Sequence, residues 1–327
     1  MRVTPPLLAF NRGILSPLGL ARVDLESLRL AAAEQTNWMP RALGSMMLRP
    51  GMRYTGETRN GLPSVTIPFV FEVDDQARLE MTWQSCRVWI GDELLSRPNV
   101  HASIGADGFD ANLTGWVDAD EPGGQSAGAS GWMTLQGDGF GAAKRRRQVT
   151  VAAGETGLEH AIRVQIHLGS VELRIGTEAG GDDLLAATEL GPGWHSLAFT
   201  PTGGAFFIEF AHRGETTAIV RSAAIETGGP VVITTPFGSA DMARLRWAQS
   251  RDVVFLACDG REPQRVERRG PRSWSVVDFA PPDGPFRDEN LTRTTLQPSG
   301  LSGDITLTAS NDVFLPGHLG ALFRMTS

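Results

Sequence analysis

The stretch His160–Gly169, HAIRVQIHLG, sets Ile162, Val164, Ile166 and Leu168 at every second position, with Arg163, Gln165 and His167 between them. Successive side chains point to opposite faces of a strand, so this row predicts one face in a core and one toward water. SVELRIG, WHSLAFT, AFFIEFAHR and TAIVRSAAIE repeat the scheme over the next sixty or so residues, with glycine-rich turns between them. Short amphipathic strands at nearly regular spacing predict an antiparallel sandwich of jelly-roll type, each sheet turning one face inward. The 38 Gly and 20 Pro suit a chain of many turns, and the expected class is mainly β.

The flanking segments follow a different rhythm. The segment ARVDLESLRLAAAEQ reads as a helix, with Asp24 as its cap and Leu25, Leu28 and Ala32 on one face. Strands return in SVTIPFVF and ARLEMTWQSCRVWIGDEL, where Leu79, Met81 and Trp83 form one alternating row. Beyond Gly229, PVVITTPF, a short helix from Ser239 through Leu245, DVVFLACDG and RSWSVVDF restore the character of the first hundred residues. Charge changes at the same places: residues 98–228 hold 16 acidic against 8 basic side chains, leaving 21 and 22 to the outer segments, within a net charge of -7. The expectation is a discontinuous β-rich domain, residues 1–97 and 229–327, with one or two short helices, carrying a jelly roll inserted at 98–228. The two ends of such an insertion must lie close together.

No apolar run approaches the roughly 18 residues that span a bilayer, and the N-terminus lacks the pattern of a secretory signal, so synthesis in the cytoplasm is expected. Cys86 and Cys258 stand far apart and suggest two reduced, buried thiols. The six histidines, at 101, 160, 167, 195, 212 and 318, include no pair at the helical spacing of a metalloprotease. Gly137–Gly141 with Lys144 lacks the spacing and the hydroxyl residue of a phosphate loop, and Asp182 with Asp183 reads as a turn. No pair of carboxylates stands out for glycoside hydrolysis, so an enzyme is not expected.

Three clusters are candidate sites. Asp107, Asp110, Asp118 and Asp120 fall within one loop-rich stretch beside Asn112 and make a candidate calcium set, since clustered oxygen ligands suit that ion. Trp116, Trp132 and Trp194 are the tryptophans of the middle segment; an indole exposed there could stack on a sugar, and core packing is the alternative. Lys144, Arg145, Arg146 and Arg147 form the densest basic run, a candidate contact for phosphate groups of nucleic acid or of a bacterial surface glycolipid, with a solvated edge strand as the favoured reading.

The outer segments carry motifs of their own. FNRGILSPLGLARVDLESLRLAAAEQTNWMPRALGSMMLRPGMRY holds Gly13 before Ser16-Pro17, then Arg22 to Leu25 with Asp24 inside it, Asn37-Trp38, and Arg49-Pro50-Gly51. TTPFGSADMARLRWAQSRDVVFLACDGREPQRVERRGPRSWSVVDF adds Ser250 to Val254, Pro263 to Val266 and Trp274. In this order they resemble the tail nozzle family of short-tailed bacteriophages (podoviruses), also called tail tubular protein B. The resemblance covers both outer segments and skips the middle one, whose pattern is similar to a carbohydrate-binding jelly roll without transferable residues.

The resemblance implies a structural virion protein: a homo-hexamer in the tail, below the portal and attached through a tail adaptor protein. It would be assembled in the host cytoplasm and carry tail fibres or spikes. It would form the conduit for ejected double-stranded DNA without binding it specifically, and no cofactor is required for that role. Contact with host surface polysaccharide would fall to the jelly roll. Family members are usually longer, which implies a short or split version or an N-terminal part. A carbohydrate-binding surface or secreted protein without a tail-tube role is the competing expectation.

Overall fold

The computed structural model describes residues 9, 11–19, 24–25, 28, 30–72, 75–101, 104, 109, 112–129, 131–279, 290, 292–300, 305–318, 321 and 323–325. They fall in two compact units, 1–56 and 57–327. The chain is mainly β with several antiparallel sheets, and no helix reaches seven residues among the described residues.

In the first unit, β1 (Trp38–Pro40) pairs antiparallel with β2 (Met46–Leu48). Gly44, at φ 93°, takes the left-handed conformation that the connecting turn needs. The helix expected around Asp24 is not formed among the described residues. Leu28 N–H donates to Leu25 O and Ala31 N–H to Leu28 O, which are turns of three residues, while Ala32 pairs in parallel with Ile14. A short isolated helix is marginal in water, and here the carbonyls of Leu30 and Ala32 are taken by the N–H groups of Arg12 and Leu15.

The second unit begins with a meander of β3 (Val65–Val70), β4 (Gln76–Thr82) and β5 (Ser85–Ile90), with β6 (Glu93–Leu94) on β5 and β7 (Ser96–Arg97) following. Pro68 lies in β3, at the edge of this sheet, where a missing N–H breaks no ladder. The row Leu79, Met81, Trp83 is cut short. Leu79 and Met81 are buried, but Trp83 and Gln84 form the β4–β5 turn and Trp83 is half exposed.

The middle segment supplies β8 (Val117–Asp118), β9 (Gln125–Ala129), β10 (Trp132–Gln136), β11 (Ala143–Thr150), β12 (His160–Leu168), β13 (Val171–Gly176), β14 (Leu185–Leu190), β15 (Gly193–Phe199), β16 (Ala205–His212) and β17 (Ala218–Ile225). One sheet runs β10-β17-β12-β15 and the other β11-β16-β13-β14, which is the eight-stranded jelly-roll order. β9 and β8 extend the two sheets. Ile162, Val164 and Ile166 enter the core between them, as the alternation requires, whereas Leu168 is exposed because the register slips twice between Gln165 and Leu168.

The chain then forms β18 (Gly229–Pro230), β19 (Val232–Thr234), β20 (Arg246–Ser250), β21 (Val253–Ala257), β22 (Gln264–Gly270) and β23 (Ser273–Asp278), with β24 (Leu296–Pro298) and β25 (Leu307–Ala309) as a separate hairpin. The helix expected from Ser239 shrinks to a 3-10 turn, Ser239–Asp241, prolonged by bonds from Arg244 and Leu245 N–H to Asp241 O. β7 pairs with β18, Arg97 opposite Gly229, so residues 98–228 leave and return at one point.

The seam between β15 and β23, Gly193–Ser196 against Trp274–Val277, joins both regions into one nine-stranded sheet, β20-β21-β22-β23-β15-β12-β17-β10-β9. Paired residues share a face, so Trp274 and Ser196 point one way while Leu197 and Ile162 point the other. Val254, Val266, Trp274 and Val276 pack on the first face toward β3–β5 and β19. Ile162, Val164, Leu197 and Val220 pack on the second face toward the other jelly-roll sheet. The sheet therefore serves two cores, one on each face, at opposite ends.

Candidate functional site

Where the Trp274 core ends, the same face of the long sheet continues as a polar surface. Gln165 and His167 of β12, and Trp194 opposite Gln165 on β15, stand on this face. Across from them lie Thr235, Arg261, Gln264 and Asp278, and together these residues line a groove of about 470 Å³, within the usual size range of small-ligand sites. Gln264 Nε2 donates to Asp278 Oδ1 at 2.9 Å, and Arg261 Nε donates to Asp241 Oδ2 at 2.9 Å, so the wall is cross-braced. Burial works against the Asp241 charge, but the Gly238 N–H bond and then Arg261 and Arg244 hold its carboxyl below the ordinary value. Thr235 is buried, and its hydroxyl has no hydrogen-bonding partner among the described residues.

The tryptophans of the middle segment separate into three environments. Trp116 is buried in the jelly-roll core against Phe109 and Phe210, which corrects its reading as an exposed sugar contact. Trp194 lines the groove and is packed at the margin of the neighbouring core. Trp132 packs against His167 with centroids 5.0 Å apart and ring planes tilted by 45°, and Arg221 covers the same indole at 5.7 Å. Sequence reasoning marked these two indoles but not Gln165, His167, Thr235, Arg261, Gln264 or Asp278. Gln165 and His167 were visible only as the polar row of a strand, and the others depend on the seam.

The basic run is not on an edge. β11 lies between β16 and β8, and the pairing of Arg145 with Phe210 and Arg147 with Ile208 turns both arginines toward the inner face. Arg145 reaches across to β9, donating Nε to Ser126 Oγ at 2.7 Å, and also meets Asp118 at 3.3 Å. Arg147 lies over Trp116, 5.9 Å from the ring centroid. Lys144 pairs with Glu121 and Arg146 with Glu209. The Lys144 hydrogen bond, followed by that from Ala142 N–H, draws the Glu121 carboxyl down to about 2. The run is thus held in ion pairs and stacking, and an anion would have to displace them.

Asp107 and Asp110 of the candidate calcium set lie outside the described residues. Asp118 meets Arg145, while Asp120 accepts from Ser126 Oγ at 2.8 Å and Lys144 N–H at 2.6 Å. In the Gly137–Gly141 loop, Asp138 Oδ1 accepts from Phe140 and Gly141 N–H at 2.9 and 2.6 Å. Its own carboxylate takes the donors that a phosphate would use.

Two buried ionic clusters hold the framework. Glu80 accepts from Arg87, from Trp89 Nε1 at 2.8 Å and from Arg59 N–H at 2.9 Å. Burial alone would raise its pKa, but the Arg87 bond and the two N–H donors outweigh it and the value is lowered. At the β7–β18 pairing, Arg97 donates to Glu226 at 2.9 Å, Glu159 at 3.0 Å and Ser196 Oγ at 2.8 Å.

Among the motif residues, Arg49 Nε donates to Asn37 Oδ1 at 2.7 Å and Arg49 N–H to Asn37 O at 3.0 Å, closing the β1–β2 hairpin. Within this unit the side-chain amide of Asn37 is thus a partner of the Arg49 guanidinium. Trp38 is half exposed, and Pro50 and Gly51 follow the hairpin in exposed chain outside any strand or helix. Ser16 precedes the 3-10 turn at Pro17–Gly19, Asp24 is exposed in a turn, and Arg22 lies outside the described residues.

No protein-family model matches the chain, and no curated protein does.

Proposed function

We propose that the chain is a structural subunit of a short phage tail, building the nozzle through which DNA leaves and assembling as a homo-hexamer beneath an adaptor and portal. The observation that carries this reading is the apolar surface of residues 1–56. Leu43 is 99% exposed, Met52 85% and Tyr54 75%, in and just after the hairpin that Asn37 precedes and Arg49-Pro50-Gly51 follows. Large apolar side chains gathered at a surface favour association with another protein. The role requires positioning and contact rather than a reacting group, and the buried arginine–glutamate clusters suit a stiff building block.

Mass measurement of the purified chain, alone and with the adaptor protein, tests the reading. Six-fold rings are expected, and Leu43→Asp should prevent them while leaving the circular dichroism spectrum unchanged. A monomer that joins no tail particle overturns the proposal.

A further inference from the structure

The groove beside Trp194 has a chemistry of its own, and it goes beyond the tail reading because none of its residues belongs to the apolar hairpin. We propose that it is a binding site for an uncharged oligosaccharide, with Trp194 as the stacking surface and Gln165, Gln264 and Asp278 as hydrogen-bonding partners of sugar hydroxyls.

The argument starts from the two kinds of surface in one groove. Trp194 offers an indole at the margin of a core, and His167 adds a second planar ring, itself packed against Trp132. A pyranose ring presents an apolar C–H face and a rim of hydroxyls, so it needs a flat apolar wall with polar groups around it. Amides suit that rim because each both donates and accepts, matching hydroxyls that do the same. Gln264 already donates to Asp278 Oδ1, which fixes its orientation and leaves its carbonyl oxygen to accept. Asp278 Oδ2 remains a second acceptor.

The charge of the lining defines the charge of the ligand. The ionic side chains at the groove are Arg261, Glu262 and Asp278, so carboxylates outnumber the guanidinium, which Asp241 already engages. That balance disfavours phosphate, nucleic acid and acidic glycans. The groove depends on the seam, since Trp194 and Gly193 come from β15 and Val276 and Asp278 from β23.

The test is calorimetric titration of the full chain with cellohexaose, maltohexaose, chitohexaose and, as the anionic comparison, a heparin hexasaccharide. At least one neutral hexasaccharide should bind with a dissociation constant below about 1 mM. Trp194→Ala and Gln165→Ala should each weaken it by at least about tenfold, and Phe140→Ala, at an exposed loop position that does not line the groove, should leave it unchanged. Because Trp194 also touches a core, Gln165→Ala decides the matter if Trp194→Ala lowers the melting temperature. The proposal is overturned if no neutral sugar binds, if only the anionic one does, or if Gln165→Ala binds like the unaltered chain. The titration does not read assembly, so its failure leaves the tail reading standing, and a chain that never forms rings leaves this one standing.

Discussion

Arg97 Nε donates to Glu226 Oε2 at 2.9 Å, tying together the two points where residues 98–228 leave and rejoin the rest of the chain. The Arg97 side chain is only 2% exposed, and Glu159, Ser196 and the Arg272 carbonyl also accept from it. Removing one partner of a buried pair leaves the other charge uncompensated, which costs about 3–5 kcal/mol. Arg97→Ala should therefore lower the urea midpoint strongly, and Arg97→Ala with Glu226→Gln should cost less than the sum of the single changes. A loss below about 1 kcal/mol would mean that the cluster behaves like a surface pair and does not clamp the junction.

His195 lies on β15 at the seam, its Nε2 2.9 Å from Gly191 O and its Nδ1 2.8 Å from Ser275 Oγ. The carbonyl can only accept, so Nε2 carries the proton and Nδ1 accepts from the serine hydroxyl. Burial, aided by Arg269, depresses the imidazole pKa from 6.5 to about 4 against the opposing Gly191 bond. A lowered histidine pKa means that the unfolded chain takes up the proton first as pH falls. Stability from this group is full above 6.5, declines below it and is gone by about 4, a loss of about 3 kcal/mol. Urea unfolding across this range should show His195→Asn losing less stability on acidification than the unaltered chain; parallel curves would refute the assignment.

Much of the jelly roll was legible because its strands obey a strict period of two, and Ile162, Val164 and Ile166 fall where that period puts them. The failures have local causes. Leu168 left its row through two register slips, and Trp83 became a turn residue. The Asp24 segment has helical composition, yet its carbonyls bond to residues 12 and 15. Arg145 and Arg147 looked solvated because a charge run carries no sign of which neighbour it faces; pairing with Phe210 and Ile208 turned them inward. The groove was the least legible feature. Gln165 and Trp194 lie 29 residues from each other in sequence and meet through β12–β15 pairing, while Asp278 arrives through a seam that no local pattern encodes.

Cys86 faces the core of the β3–β5 layer and is fully buried, and burial first, then the nearby Glu80 charge, pushes its thiol up to about 12. Thiolate is the reactive form, so the native chain should resist alkylation at this position. In a Cys258→Ser background, iodoacetamide at pH 8 should label Cys86 only as the chain unfolds. Rapid labelling without denaturant would show that this layer opens freely.

Gly193 opens β15 at the point where the two regions become one sheet. It pairs with Ile166 on one side and Val277 on the other. Its φ of 139° is a conformation that residues with a Cβ rarely adopt, and a Cβ there would stand 2.3 Å from Val276 O and 2.5 Å from Val277 Cα. Neither atom is the end of a flexible side chain, so relief requires β15 and β23 to separate. Gly193→Ala should cost on the order of 3 kcal/mol or more, the range of a strained backbone combined with a steric clash. It should also raise the hydrogen-exchange rate along β23, including the Val277 amide. Gly191, two residues earlier, has open space where its Cβ would be and no positive φ, so Gly191→Ala should be nearly neutral. Equal effects from the two substitutions would mean that the seam tolerates separation and that the two cores are stabilised independently.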